Sequence, residues 1–387
     1  MSIEKVKKST DLIETVEQFL QTGFSANQEF NDAINGTEPF TIRSIKDPET
    51  TFSYDASEIL YWVDRSAYWD EFDSWNGLQI KEKYSECLEF LSTSQQKSVF
   101  FDLVELIRRK KIAPFLGAGI SKSAGYPMWR EALLALSERI KTLEENLISN
   151  LLSNNHYLEA AQAIANASSV QLENYVKTTF RAIFDDDAER GKIPQIFRLL
   201  PRLSSGCIIT TNFDALIEET FKIKGAPLND AYMYGIQAGN NFVQRLLKGD
   251  RCILKLHGDA SQPGTYVFTE NQYQHAYGSP IDYSKQLPRA LRQIYISNSL
   301  LFLGCSLEQD RTLELFQEVK ASRAFDIPDH FAFLPDVSDA HKKQATEDRL
   351  LTLNIRPIWY PDKNYHEMLP LLVELATDVA EHRLNLR

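Results

Sequence analysis

The sequence predicts an α/β protein, a parallel sheet with helices on both faces, preceded by a mainly helical N-terminal region. Three observations predict it. From Phe100 onward, short apolar runs bounded by Gly, Asn or Asp alternate with stretches of helical period, the pattern of successive βαβ units. Before that point the chain is polar, aromatic and acidic, with helical-period stretches such as Asp11 to Leu20 and Ile80 to Leu91. The length of 387 residues exceeds one core of ordinary size, which favours two domains. We place an N-terminal helical or irregular region at 1–98 and the α/β domain at 99–387.

In order along the chain, Asn35 to Tyr54 opens with an Asn-Gly turn pair and carries two prolines, so it reads as an irregular connection or a short hairpin. The expected strands are Ile112 to Leu116, Cys207 to Thr211, Cys252 to Leu256, Leu300 to Leu303, His330 to Leu334 and Ile355 to Trp359. Between the first two, residues 129–200 are dense in Ala, Leu and Glu and should supply several helices that cover the sheet or form a lid. A C-terminal helix is expected from Tyr365 to Leu386.

Composition narrows the function classes. Hydrophobic residues at 43% and charged residues at 25% are the balance of a globular protein. A formal charge of −11 argues against a broad surface for nucleic-acid phosphates, which would require clustered Lys and Arg. The N-terminus lacks the apolar stretch of a signal peptide and no run of eighteen apolar residues occurs, so no membrane partner and a cytoplasmic location are expected. The four cysteines, Cys87, Cys207, Cys252 and Cys305, are widely spaced and form no CxxC pair, so no zinc is expected.

Four constellations carry the chemistry. Gly117-Ala118-Gly119-Ile120-Ser121 follows the first strand; glycines there let the backbone turn tightly and approach a pyrophosphate. Alone this is weak, because the ordinary dinucleotide fingerprint needs a third glycine where Lys122 stands. Thr210-Thr211-Asn212-Phe213-Asp214 ends the second strand, at the edge where open α/β sheets bind ligands. Asn and Asp after a strand are more often simple turn formers. Lys255-Leu256-His257-Gly258-Asp259 ends the third strand and supplies an imidazole that titrates near neutrality. Phe302-Leu303-Gly304-Cys305-Ser306-Leu307 ends the fourth.

The string GAGISKSAGYPMWR resembles, almost residue for residue, the cofactor loop of the sirtuin family, and the other three constellations resemble that family's TQN(I/V)D, HG and GTSL motifs. The resemblance spans Ile112 to Leu307 and implies a Rossmann-like domain that binds NAD. It implies that Gly117, Ala118, Gly119 and Ser121 line the diphosphate, and that Arg130 lies on a loop closing over nicotinamide and its ribose. Asp214 would hold the nicotinamide amide or fix its loop, and Gly304 and Ser306 would meet the adenosine ribose or a phosphate. The catalytic pair would be Asn212, orienting water and ribose, and His257, the general base. Departures are Met128 for the usual acidic residue, Trp129 for phenylalanine, Thr211 for glutamine and Cys305 for threonine. Val267 to Tyr273 is similar to a segment with Thr and Tyr in bacterial sirtuin-like defence proteins.

No counterpart of the deacetylases' four-cysteine zinc module or acyl-lysine channel stands between Asp214 and Leu307. The expected activity is therefore cleavage of NAD to nicotinamide and ADP-ribose with water as nucleophile. The resemblance to zinc-less defence sirtuins implies an abortive-infection effector of antiphage defence, such as the sirtuin subunit of a sirtuin–HerA system. It also implies a homo-oligomer, triggered by a nucleotide signal or by a separate partner such as a HerA-like ATPase or a short Argonaute. Two other readings stay open: a module that senses NAD or ADP-ribose without turnover, and a protein deacylase or ADP-ribosyltransferase.

Overall fold

Each of the six apolar runs becomes a strand, and the alternation of their buried side chains divides the interior into two faces. The computed structural model describes residues 3–144, 146–181, 190–225, 228, 232–234, 242–308, 311–361, 367–382 and 384. The chain divides at Ser85/Glu86 rather than at residue 98. Residues 86–98 go with the second unit because the side-chain amide of Gln96 accepts from the Trp359 N–H at 2.6 Å and donates to the Trp359 carbonyl at 2.9 Å.

The first unit contains helices Ile3–Ser25, Gln28–Asn35, Ala56–Val63 and Arg65–Lys83. Phe40–Arg43 (β1) and Thr51–Tyr54 (β2) pair antiparallel, so the segment read as a connection or short hairpin is a hairpin. Its core is aromatic: Phe24, Phe30, Tyr61 and Tyr68 are buried together. The Tyr68 hydroxyl donates to Asn31 Oδ1 at 2.6 Å, and Asn31 donates to the Phe24 carbonyl at 2.9 Å, which satisfies the polar ends of the cluster.

In the second unit the strands are Ile112–Leu116 (β3), Cys207–Thr210 (β4), Tyr232–Tyr234 (β5), Cys252–Lys255 (β6), Ser299–Leu303 (β7), His330–Pro335 (β8) and Ile355–Tyr360 (β9). They form a parallel sheet in the order β5-β6-β4-β3-β7-β8-β9. Without β5 this is the doubly wound order in which the chain reverses direction across the sheet beside its first strand. The reversal lies between β3 and β7. β5 escapes the sequence reading because three residues carry no measurable alternation.

On one face, Phe115, Ile209, Leu254, Phe302 and Ala332 join a core with Leu291 and Phe316 of helices Gln286–Ser297 and Arg311–Ala321. Helix Gln195–Leu203 packs on β3 and against helix Met368–Glu381, which also meets helix Lys97–Arg108. Helix Met368–Glu381 is the expected C-terminal one; Tyr365 and Leu386 lie outside the described residues. The 129–200 stretch supplies helices Trp129–Ser137, Leu147–Ser153 and Tyr157–Thr179, which bury Leu133, Leu152 and Ile164 against Phe213, Tyr266 and Phe268 beyond the ends of β4 and β6. No described helix is long and apolar enough to cross a membrane.

The turns after β3 and β7 interlock. A Cβ on Gly117 would lie 2.8 Å from the Gly304 carbonyl carbon, and one on Gly304 would lie 2.5 Å from the Ile120 nitrogen. Gly304 also has φ of +68°. Gly304→Ala is therefore expected to lower the urea midpoint by an amount equivalent to about 1–3 kcal/mol. An unchanged midpoint would refute the interlock.

Candidate active site

The interlock sets the first wall of the site. Gly117 N–H donates to the Leu303 carbonyl at 2.9 Å and Gly119 N–H to the Gly304 carbonyl at 3.0 Å. These two amides are thus engaged by the neighbouring turn, and the glycines contribute close approach of backbone rather than donors. The short helix Ala118–Ser121 that follows turns the Ser121 hydroxyl toward β4.

At the end of β4 the strand stops at Thr210, one residue before the expected boundary. The Thr210 hydroxyl donates to the Leu116 carbonyl at 3.0 Å and accepts the Asn212 N–H at 3.0 Å, a side-chain turn that peels the chain off the sheet. Asn212 then points its amide at the β3 turn, donating to the Gly117 carbonyl at 3.1 Å and to Ser121 Oγ at 2.9 Å. Ser121 in turn donates to Asp214 Oδ2 at 2.8 Å. Asp214 is also a turn former, because its Oδ1 accepts the Leu216 N–H at 3.1 Å ahead of helix Leu216–Ile223. Its two oxygens thus hold the start of that helix on one side and Ser121 on the other.

Asn212 and His257 stand two residues beyond Thr210 and Lys255, which are partners in the β4–β6 ladder. The two candidate catalytic side chains therefore leave the same rim of the sheet. His257 Nε2 lies 2.6 Å from the Tyr273 hydroxyl. That tyrosine sits in the Val267 to Tyr273 segment, and Thr269 of the same segment caps helix Glu270–Tyr277 by accepting the Gln272 N–H. Burial pushes the His257 imidazole down to about 4, with the Thr211 backbone opposing the shift, so the ring is neutral at physiological pH. Among the described residues, Asn212 Oδ1 is buried without a hydrogen-bond partner, while the His257 ring is held between the Tyr273 hydroxyl and the Thr211 backbone. An orphaned buried acceptor is costly in a finished fold and is a common mark of a group reserved for a ligand or water.

The helices of the 129–200 stretch roof this rim with aromatic rings. Trp129 stacks on Phe268 at 4.6 Å and meets the His257 ring edge-on at 5.4 Å; Tyr126 stacks on Phe180 at 6.0 Å. Between roof and rim lies a cavity of about 20 Å³ touched by Ser121, Tyr126, Trp129, Phe180, Asn212 and Asp214. That is room for about one water, against several hundred Å³ for a typical small-molecule site. His257 is not among the residues lining it; Trp129 and Phe213 stand between the imidazole and the cavity.

Of the other residues singled out from sequence, Gly304 meets Gly117 as described and Ser306 is exposed at the end of β7. Arg130 is not brought into the cluster: the residue is exposed and its guanidinium donates to the Leu152 carbonyl at 2.8 Å. Sequence reasoning passed over Lys255, Glu218 and Asp259. Lys255 is fully buried, 3.0 Å from Glu218 and 2.8 Å from Asp259. Its signal was present, a lysine inside the apolar run Cys252–Leu256. Among the described residues no cluster of His, Cys, Asp and Glu is placed to hold a metal.

Strand order and interlocked glycine turns define a doubly wound α/β domain of the Rossmann type. Residues 206–358 match the family model of the SIR2-like domain. That span includes Asn212, Asp214, His257, Gly304 and Ser306, and begins after the Gly117 turn. Similar over longer stretches are three proteins named NAD(+) hydrolase ThsA. The one from Acinetobacter baumannii (strain 532279) is 29% identical over 215 residues, 55% of this chain and 40% of its own length. The one from Bacillus cereus (strain MSX-D12) is 23% identical over 291 residues, 72% of this chain and 56% of its own length. The one from Cytobacillus dafuensis is 20% identical over 300 residues, 76% and 56% respectively. The chain thus spans about half the length of these relatives.

A neutral, buried His257 has a measurable consequence. The unfolded imidazole takes up a proton near 6.5 and the folded one only near 4, so below pH 6.5 the unfolded chain binds more protons and stability falls as pH drops. By pH 4 the loss from this residue is about 3 kcal/mol. Ring signals of His257 in NMR are expected to stay unchanged between pH 8 and 5; a midpoint near 6.5 would contradict its burial.

Proposed function

We propose that this protein is an NAD glycohydrolase that cleaves NAD to nicotinamide and ADP-ribose. The observation that carries the reading is the convergence of the β3, β4, β6 and β7 turns at one rim, with Asn212 Oδ1 buried there without a partner among the described residues and His257 leaving the same rim. The name NAD(+) hydrolase borne by its relatives supports the reading.

In the reaction, the bond between the ribose anomeric carbon and the nicotinamide nitrogen breaks, and nicotinamide leaves with the electron pair. Water adds to the oxocarbenium-like carbon and releases a proton. The Gly117–Ser121 turn receives the diphosphate, with Gly304 and Ser306 on the adenosine side. Asn212 Oδ1 orients the ribose or the attacking water. His257, neutral at working pH, accepts the released proton; a weak base suffices because that proton becomes acidic only as the new C–O bond forms. The cavity is far smaller than nicotinamide and its ribose, so NAD enters when the segment bearing Tyr126 and Trp129 moves away from Phe180 and Phe268. Arg130 joins the site only through the same movement.

The same reading takes the protein as a cytoplasmic antiphage effector that works as a homo-oligomer, held silent until a nucleotide signal or a partner such as a HerA-like ATPase or short Argonaute opens the site. A monomer that ignores the products of neighbouring genes would count against that part. A second reading, a sensor that binds NAD or ADP-ribose without turnover, draws on the position of His257 behind Trp129.

Incubation with NAD and the activating partner is expected to release nicotinamide, with Asn212→Ala and His257→Ala each lowering kcat by about 100-fold or more. Calorimetric binding of NAD without nicotinamide release would favour the sensor, and full activity in both variants would remove these residues from the mechanism.

A further inference from the structure

Behind the turn that carries Asn212 lies a fully buried ammonium. Lys255 Nζ donates to the Asp214 carbonyl at 2.6 Å and the Phe213 carbonyl at 3.3 Å, and meets Asp259 Oδ2 at 2.8 Å and Glu218 Oε1 at 3.0 Å. Two carboxylates would suffice to compensate the charge. The two carbonyls belong to the loop between Asn212 and helix Leu216–Ile223, so the ammonium also fixes where that loop leaves β4. Resting on the glycohydrolase reading, we infer that Lys255 is a positioning residue: it holds the Thr211–Asp214 turn so that the Asn212 carboxamide meets the reacting ribose.

The turn has two anchors. On the β3 side Asn212 is tied to the Gly117 carbonyl and Ser121, and Ser121 to Asp214. On the β6 side the only cation within the cluster of described residues is Lys255. The charged and titratable groups around Asp214 are Lys255 from β6, Asp259 from the turn after it, Glu218 from the following helix and Tyr126 from the roof. Burial raises the Asp214 carboxyl, and Lys255 draws it back, so the ammonium also keeps Asp214 able to accept from Ser121. Burial alone would push Lys255 down, but Glu218, Asp259 and Asp214 more than offset it and hold it protonated.

Lys255→Met with Glu218→Met removes the cation and one of its carboxylates together, which limits the cost of an unpaired buried charge. In this folded double variant kcat is expected to fall at least about tenfold while KM for NAD stays within about twofold, since a small misplacement costs rate before binding. The acid limb of the kcat profile should move to higher pH, because Asp214 loses its cation. Lys255→Arg keeps the charge but displaces the nitrogen that meets the carbonyls; kcat should fall with the acid limb in place. Wild-type kcat in either variant would overturn the inference. Crystal structures of the variants test it apart from turnover: Asn212 is expected to leave the Gly117 carbonyl, and an unmoved turn would overturn it. Absence of nicotinamide release by activated wild-type protein would instead defeat the glycohydrolase reading, and the crystal comparison would then decide on Lys255 alone.

Discussion

The close approach of two backbone turns, Gly117 after β3 and Gly304 after β7, is the constraint on which the rest of the rim depends. Neither position has space for a single methyl group. Because both turns sit at the reversal of strand order, their contact sets how far the crevice between β3 and β7 opens. The Gly117 carbonyl, fixed by that contact, is the acceptor toward which Asn212 turns, and Ser121 follows within one helical turn. A change at either glycine would therefore reach the Asn212 amide through a single hydrogen bond.

A second set of interactions anchors the opposite side. Lys255 binds main-chain oxygens of the Asn212 loop, while the rings of Trp129 and Phe213 lie against His257. Polar groups that are satisfied on one side and orphaned on the other form a rigid frame around a few unused atoms. Such a frame is costly to fold and is characteristic of places where chemistry or binding completes the pattern.

Much of this was legible in the residues. Apolar runs of four or five residues followed by Gly, Asn or His announced β3, β4, β6 and β7 to within one residue, since burial on both faces leaves little choice of side chain. What the residues did not convey was what each polar group would face. Gly117 and Gly119 were expected to line a diphosphate, but their amides close on the end of β7 and the turn after it, which only the strand order could reveal. The unit boundary shifted because one glutamine, Gln96, bonds to β9 far along the chain. Lys255 was passed over because its four partners come from the earlier turn at Phe213 and Asp214, from helix Leu216–Ile223 and from the turn after β6, a convergence without local periodicity.

The one-water cavity bears on how any ligand would arrive. When a binding space exists only during brief excursions of its roof, the association rate is capped by how often the roof lifts, whatever the ligand concentration. For the activity proposed above, abundant NAD in the surrounding medium would then be a poor trigger, and compounds that hold Trp129 on Phe268 would act as slow, tight wedges rather than as competitors for an open pocket.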